Sequence, residues 1–317
     1  MTKHGTFIIS LDFELFWGIF DKTDISKKNN YFDNTLAVIP DILKLFESYN
    51  IQATWASVGF LFFNDMADLQ KHLPDRIPHY TNKKLSAFHY INTRYDNKYE
   101  KYHFAPDIIR QIIQTKGQEI GSHTLSHYYC LAEGQNIEDF EADLKQHVAV
   151  TKRFGIKLKS LVFPRNQYNQ AYEAVLLKYG VQYIRTNPDV WFWDTTKKES
   201  LLTKIFRTAD AYLPLHTNFL TLKYNSDQKN EIIKIPASRF FRPLSPYKIL
   251  NKIRLKRIKN EMYRAAKQGK IYHLWWHPHN FGQNLEEALR ELTELLEHYQ
   301  YLHKKYGFQS RKMSNLL

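Results

Sequence analysis

An α/β fold on a mostly parallel sheet, closed or nearly closed into a barrel, follows from three features of this 317-residue sequence. Strand-like runs alternate with helical stretches. Several helical stretches stop at a glycine just before the next strand. No linker rich in Pro, Gly or Ser divides the chain. Strand then helix, repeated about seven times, is the pattern of parallel βα units.

The strand-like runs fall at residues 6–11, 51–58, 118–122, 160–163, 181–185, 231–235 and 271–276. Between them, residues 35–49, 106–116, 137–154, 170–179 and 247–268 carry apolar side chains at three- and four-residue steps, as does the closing stretch 285–304. Gly117, Gly155, Gly180 and Gly269 stand where helices should stop. Residues 64–103 and 187–230 break the rhythm and read as long loop insertions. The first is crowded with Tyr, Phe and His, which favours packing over disorder. One domain spanning residues 1–317 is expected.

With 43% hydrophobic residues the chain can bury a large core. A single cysteine, Cys130, rules out an internal disulfide and suits a reducing compartment. The short apolar run near the start meets Asp12 and Glu14 too soon for a signal peptide, and no stretch is long enough to span a membrane. A cytoplasmic location is therefore expected. The net charge of +13 favours an anionic partner: a nucleotide-sugar, a lipid-linked glycan, a membrane surface or nucleic acid. Nucleic acid is not expected, because no recognisable binding module accompanies the charge.

Chemistry concentrates where strands end. Asp12 and Glu14 close the first strand; residues two apart in extended chain face the same way, so their carboxylates can converge. His123 and His127 follow the third strand at a spacing that, on a helical turn, lets two imidazoles reach one divalent ion. Parallel β/α barrels place active sites at this end of the strands. Phe163, Pro164 and Arg165 follow the fourth strand, and Trp275, Trp276, His277 and His279 close the last.

The stretch from Lys116 to His127 (KGQEIGSHTLSH) resembles the second motif of the polysaccharide deacetylases, the carbohydrate esterases that include the NodB chitooligosaccharide deacetylases. Asp12-Phe13-Glu14 is similar to that family's first motif, and Gln52 to Gly59 resembles its second strand. The resemblance implies a distorted (β/α)7 barrel, NodB-like, holding one catalytic divalent ion, commonly zinc. By position, it makes His123 and His127 metal ligands, with Glu14 the third ligand and Asp12 the general base. The family has adjacent aspartates where this chain has Phe13 between its acids, so these two roles could be exchanged. Leu274-Trp275-Trp276-His277 is similar to the final motif, whose histidine is the general acid. His277 takes that role with His279 as alternate, and Trp276 and His279 are expected against the sugar. At the third motif this chain places its arginine after the proline, not before it. Pro164 is expected to shape the substrate-binding turn, Arg165 to contact substrate or a carboxylate, and a backbone N–H near Arg165 to hold the oxyanion. Asp189 and Arg185 are looser candidates for orienting the acid or base.

The implied substrate is an N- or O-acylated sugar or glycan precursor for a cell-surface polysaccharide, nucleotide- or lipid-linked. An amidase on a small non-sugar substrate and an inactive carbohydrate-binding relative are the alternatives. Residues 247–270 hold nine Lys and Arg against one acid, Glu261. Leu250, Ile253, Ile258 and Met262 follow helical spacing. A helix packed on the barrel by that stripe, with its cations in solvent or against a phosphate-bearing or membrane surface, is expected.

Overall fold

The protein is described by a computed structural model covering residues 4–195, 200–216, 219–220 and 231–316. One parallel sheet forms its centre. Its strands are β1 (Thr6–Phe13), β2 (Ala53–Ser57), β3 (Gln118–Ser122), β4 (Ser160–Val162), β5 (Tyr183–Thr186), β6 (Ile233–Pro236), β7 (Arg239–Phe240), β8 (Ile271–Trp276) and β9 (Gln309–Arg311). Hydrogen-bonded neighbours run β6-β5-β4-β3-β2-β1-β8-β7, with β9 on β1. The seven expected strands are all present. β7 and β9 are too short for any periodicity to announce them.

Closure of the barrel rests on one extended segment. β6 pairs with β5, while β7, just beyond it, pairs with β8. In between, the Ala237 N–H donates to the Thr186 carbonyl at 2.9 Å and the Ser238 N–H to the His273 carbonyl at 2.8 Å. The segment thus switches partners in mid-course and joins the two ends of the sheet, giving a distorted seven-stave barrel. β9 continues the line of β2 along β1, pairing with Thr6 to Ile8 where β2 pairs with Ile9 to Phe13.

Around the sheet lie α1 (Asn29–Ser48), α2 (Met66–Gln70), α3 (Ala87–Arg94), α4 (Pro106–Gln114), α5 (Ile137–Lys152), α6 (Glu173–Lys178), α7 (Leu201–Ala209), α8 (Lys248–Gln268) and α9 (Leu285–Tyr306). None is long and apolar enough to cross a membrane. Strand alternation divides the core in two. Phe7, Ile9, Leu11 and Phe13 face outward and pack with helix residues such as Val38, Ile42, Leu292 and Leu295. Ile8 faces inward with Ala56, Val162, Ile235 and Ile271, and Met313 and Leu316 complete this smaller cluster. Further along the inward face of β1 come Ser10 and Asp12, so the barrel interior turns polar toward the strand ends.

Both irregular segments contain structure. Residues 64–103 include α2 and α3 and bury Tyr80, Phe88, Tyr90, Tyr102 and His103. They brace the turn after β1: the Trp17 indole donates to the His103 carbonyl at 2.8 Å, and Tyr90 OH meets His103 Nε2 at 2.9 Å. Residues 187–230 include α7; positions 196–199, 217–218 and 221–230 of that segment lie outside the described residues.

The basic helix departs from expectation. Arg254 and Arg257 point inward, Arg254 to Glu291 and Arg257 to Glu261 and Asp210, whereas Ile253 is exposed. A buried guanidinium with carboxylate partners outcompetes an aliphatic side chain here because α9 and the turn after α7 supply Glu291 and Asp210 from elsewhere in the chain. The solvated cations of α8 are Lys248, Lys252, Lys256, Arg264 and Lys267.

Buried imidazoles make the fold acid-sensitive. Burial pushes His103 down to about 4 and His147 and His273 down to about 3. The unfolded chain therefore binds protons first as pH falls. Their contribution to stability is full above about pH 6.5 and is lost as pH drops toward about 4. Urea unfolding at about pH 5 is expected to give a free energy at least about 2 kcal/mol below that at about pH 7.5; equal values would contradict neutral burial of these rings.

Candidate active site

The residues singled out at the strand ends meet at one end of the barrel. Glu14 follows β1, where the chain turns through Leu15 in a left-handed conformation, φ 44°. Its Oε2 lies 3.1 Å from His127 Nε2 and 3.3 Å from His123 Nε2. Two ligand atoms at zinc-to-ligand distances of 2.0–2.1 Å in a tetrahedral site stand about 3.3 Å apart. A Cβ on Gly18 would lie 1.9 Å from Glu14 Oε1, so the bare glycine leaves the carboxylate its place.

The tautomer of His123 makes the fit chemically specific. Its Nδ1 lies 2.8 Å from the Val162 carbonyl, which can only accept, so Nδ1 carries the proton. In the neutral ring, Nε2 then turns a bare lone pair toward a carboxylate. That atom is buried and, among the described residues, without a hydrogen-bond partner. A cation between the groups relieves this repulsion. The Tyr129 hydroxyl sits 3.0 Å from His127 Nδ1, and burial pushes the His127 imidazole down to about 4 against the pull of Glu14, keeping it in the neutral form a ligand needs.

Expected helical geometry between the two histidines is absent. They approach across an irregular loop, ring centroids 5.1 Å apart, with Thr124 at φ 61° and His127 at φ 57°. Asp143 of α5 holds this loop, accepting from the Leu125 and Ser126 N–H groups at 2.7 and 3.1 Å and from the Ser126 hydroxyl at 2.5 Å. These bonds compete with the backbone pairing a helix would need. Asp143 carries no local signal of this role in the sequence.

Asp12 occupies the inward face of β1, next to but apart from the histidine pair. Arg185 of β5 reaches across the barrel and donates to both its oxygens at 2.7 Å, and to Ser10 Oγ at 3.0 Å. Burial works to raise the Asp12 carboxyl, but Arg185 and then His123 hold it below the usual range. Glu14 is held well below the usual range: burial opposes, and His277, His123 and His127 prevail. Arg185 stacks over Trp275 at 4.2 Å and donates to Asn166 Oδ1 at 2.7 Å.

One expected placement, Trp276 against the sugar, needs correction, and the others become specific. The guanidinium on Asp12 is that of Arg185, while Arg165 meets a carboxylate, that of Asp21, at 2.5 Å and lies over Tyr129 at 4.2 Å. Its position after Pro164 sends it to the rim. Pro164 is buried and opens a turn in which Arg165 and Asn166 are both left-handed, at φ 56° and 53°, and this turn presents Asn166 to Arg185. The Asn166 and Gln167 N–H groups donate to the Phe163 and Pro164 carbonyls, which withdraws them from oxyanion binding. Trp276 is fully buried outside the barrel among Phe46, Phe241 and Phe281. Strand parity puts Trp275, not Trp276, on the inward face beside Arg185 and His277.

His277 and His279 stand at the mouth, stacked at 4.6 Å. His277 Nε2 lies 3.7 Å from Asp12 Oδ2 and 3.6 Å from Glu14 Oε1, and His279 Nδ1 lies 4.0 Å from Glu14 Oε1. With its side chain 21% exposed, His277 is the most open of the four histidines around Glu14. Burial, and next His277, push His279 down to about 3. Asp189 is exposed on the loop after β5.

Solved structures share this barrel. A candidate polysaccharide deacetylase from Mycobacterium smegmatis matches with a TM-score of 0.61 at 14% identity, over 100% of this chain and 90% of its own. Another, from Pseudomonas aeruginosa PAO1, matches at 0.51 and 11%, over 96% and 92%. The PuuE allantoinase matches at 0.51 and 11%, over 95% and 92%. At such identities the likeness concerns the fold. No curated protein matches the sequence. The family model described as polysaccharide deacetylase matches residues 29–184. That match runs from α1 into β5 and takes in both histidines that face Glu14, and the common barrel extends over the rest. Over residues 29–184 the chain matches the polysaccharide deacetylase family.

Proposed function

We propose that the protein is a metal-dependent deacetylase that hydrolyses an acetyl group, in the first place an N-acetyl group, from a sugar. The observation that carries this reading is the bare Nε2 of His123 facing Glu14 at 3.3 Å, with His127 beside it. Glu14, His123 and His127 would hold one divalent ion, with zinc the first choice for two imidazoles and a carboxylate. Such an ion supplies Lewis acidity at the acyl oxygen and lowers the pKa of water from about 15.7 toward about 7.

The chain's own groups do the rest. Arg185 keeps Asp12 ionised and fixed, so that Asp12 accepts the proton of the attacking water. His277, open to the mouth, donates from Nε2 to the leaving nitrogen, which could not depart as an amide anion. Trp275 and Arg185 form one wall of the site beside Asp12. The net charge of +13 supports a nucleotide- or lipid-linked precursor of a cell-surface polysaccharide, handled in the cytoplasm, as substrate.

Acetate release from N-acetylglucosamine oligomers by the zinc-loaded protein tests the reading. Release is expected from the wild type and not from Glu14→Ala. Oligosaccharide binding without acetate release in the wild type would favour an inactive binding relative instead.

A further inference from the structure

Beside the carboxylate and histidine cluster lies a narrow cleft between β5, β7 and α7, lined by Asn187, Trp193, Arg207, Phe240, Arg242 and Trp275. Two of these residues join it to the proposed catalytic centre. Trp275 packs on Arg185 at 4.2 Å and on Phe240 at 4.4 Å, and both rings lie within 6 Å of the His277 ring. Arg242 in turn lies over the far side of this pair, 5.9 Å from the Phe240 centroid. The cleft thus adjoins His277 through the rings of Trp275 and Phe240.

The charges nearby do not balance. Arg239 and Arg257 face Asp210 and Glu261 in a buried cluster of two cations and two anions, and Arg254 is paired with Glu291. Arg242 is left over. Among the described residues its side-chain hydrogen bonds go to the Arg207 carbonyl at 3.2 Å and the Thr208 hydroxyl at 3.5 Å, both uncharged. Burial pushes its pKa down, with Arg254 and Arg207 adding to it against the pull of Tyr212 and Asp210. An arginine half-withdrawn from water without a counter-ion is costly, and the planar guanidinium fits a phosphoryl or carboxylate group bidentately.

We propose that Arg242 is the anchor of an oxyanion subsite, so that the acetylated sugar carries a phosphate or carboxylate group on the side that enters this cleft. The assignment of that anion to the substrate rests on the deacetylase reading; the existence of the subsite does not. Calorimetric titration with inorganic phosphate and with glucuronate separates the two. Saturable binding by the wild type is expected, retained in His123→Ala and at least tenfold weaker in Arg242→Ala. Arg242→Lys, which keeps the stem and the charge, is expected to fall between them and guards against simple misfolding, checked by thermal unfolding. Tighter binding of phosphate assigns a phosphorylated sugar, and tighter binding of glucuronate a uronate. No binding by the wild type, or binding lost in His123→Ala but unchanged in Arg242→Ala, overturns the proposal. Phosphate binding lost with Arg242 in a protein that releases no acetate would sink the deacetylase reading alone.

Discussion

Replacing Arg185 with alanine is expected to destabilise the fold by about 3–5 kcal/mol and to abolish activity with it. The guanidinium is fully buried and makes bonds to Asp12, Ser10 and Asn166 while stacking on Trp275. Removing it leaves the Asp12 carboxylate in a closed interior with no cation of its own. It also opens a cavity across the barrel between β1 and β5. Lysine is not an adequate substitute, because a single ammonium cannot meet both Asp12 oxygens from the opposite side of the barrel. Chemical denaturation of Arg185→Ala and Arg185→Lys measures the effect; a loss below about 1 kcal/mol would show that the pair is a solvated contact, not a buried one.

His277→Gln is expected to lower kcat for an N-acetyl sugar by about 100- to 10,000-fold, the span general acid catalysis commonly covers. Stability should change little, since the side chain sits at the mouth and its Nδ1 has no hydrogen-bond partner. A proton donor leaves a signature that a packing residue does not. Hydrolysis of p-nitrophenyl acetate, whose leaving group departs without protonation, should suffer far less than hydrolysis of the amide. Equal losses on both substrates would remove His277 from the role of acid and leave it a structural one.

The sequence is informative wherever local spacing and strand ends suffice. β1, β3 and β8 were readable as strand-like runs, and Asp12, Glu14, His123 and His277 stand at their ends or just beyond, where a parallel barrel gathers them. Where partners come from distant segments, pattern has little to say. Arg185 is one side chain on a short strand, and nothing near it in sequence points across the barrel to Asp12. The choice between Trp275 and Trp276 depends on which face of β8 is inward, which both buried faces of a central strand conceal. The loop between His123 and His127 takes its shape from Asp143, on a helix that follows it, so spacing alone suggested a helical turn. Arg254 and Arg257 read as solvated charges until Glu291 and Asp210 are brought to them by the fold.

Glu14, His123 and His127 are expected to hold one ion together, and elemental mass spectrometry of the dialysed protein tests this most directly. The wild type is expected to carry, or to take up from added zinc, close to one divalent ion per chain, and His123→Ala and His127→Ala to carry little. A wild type that holds no ion and takes up none, or variants that bind as well as the wild type, would contradict it.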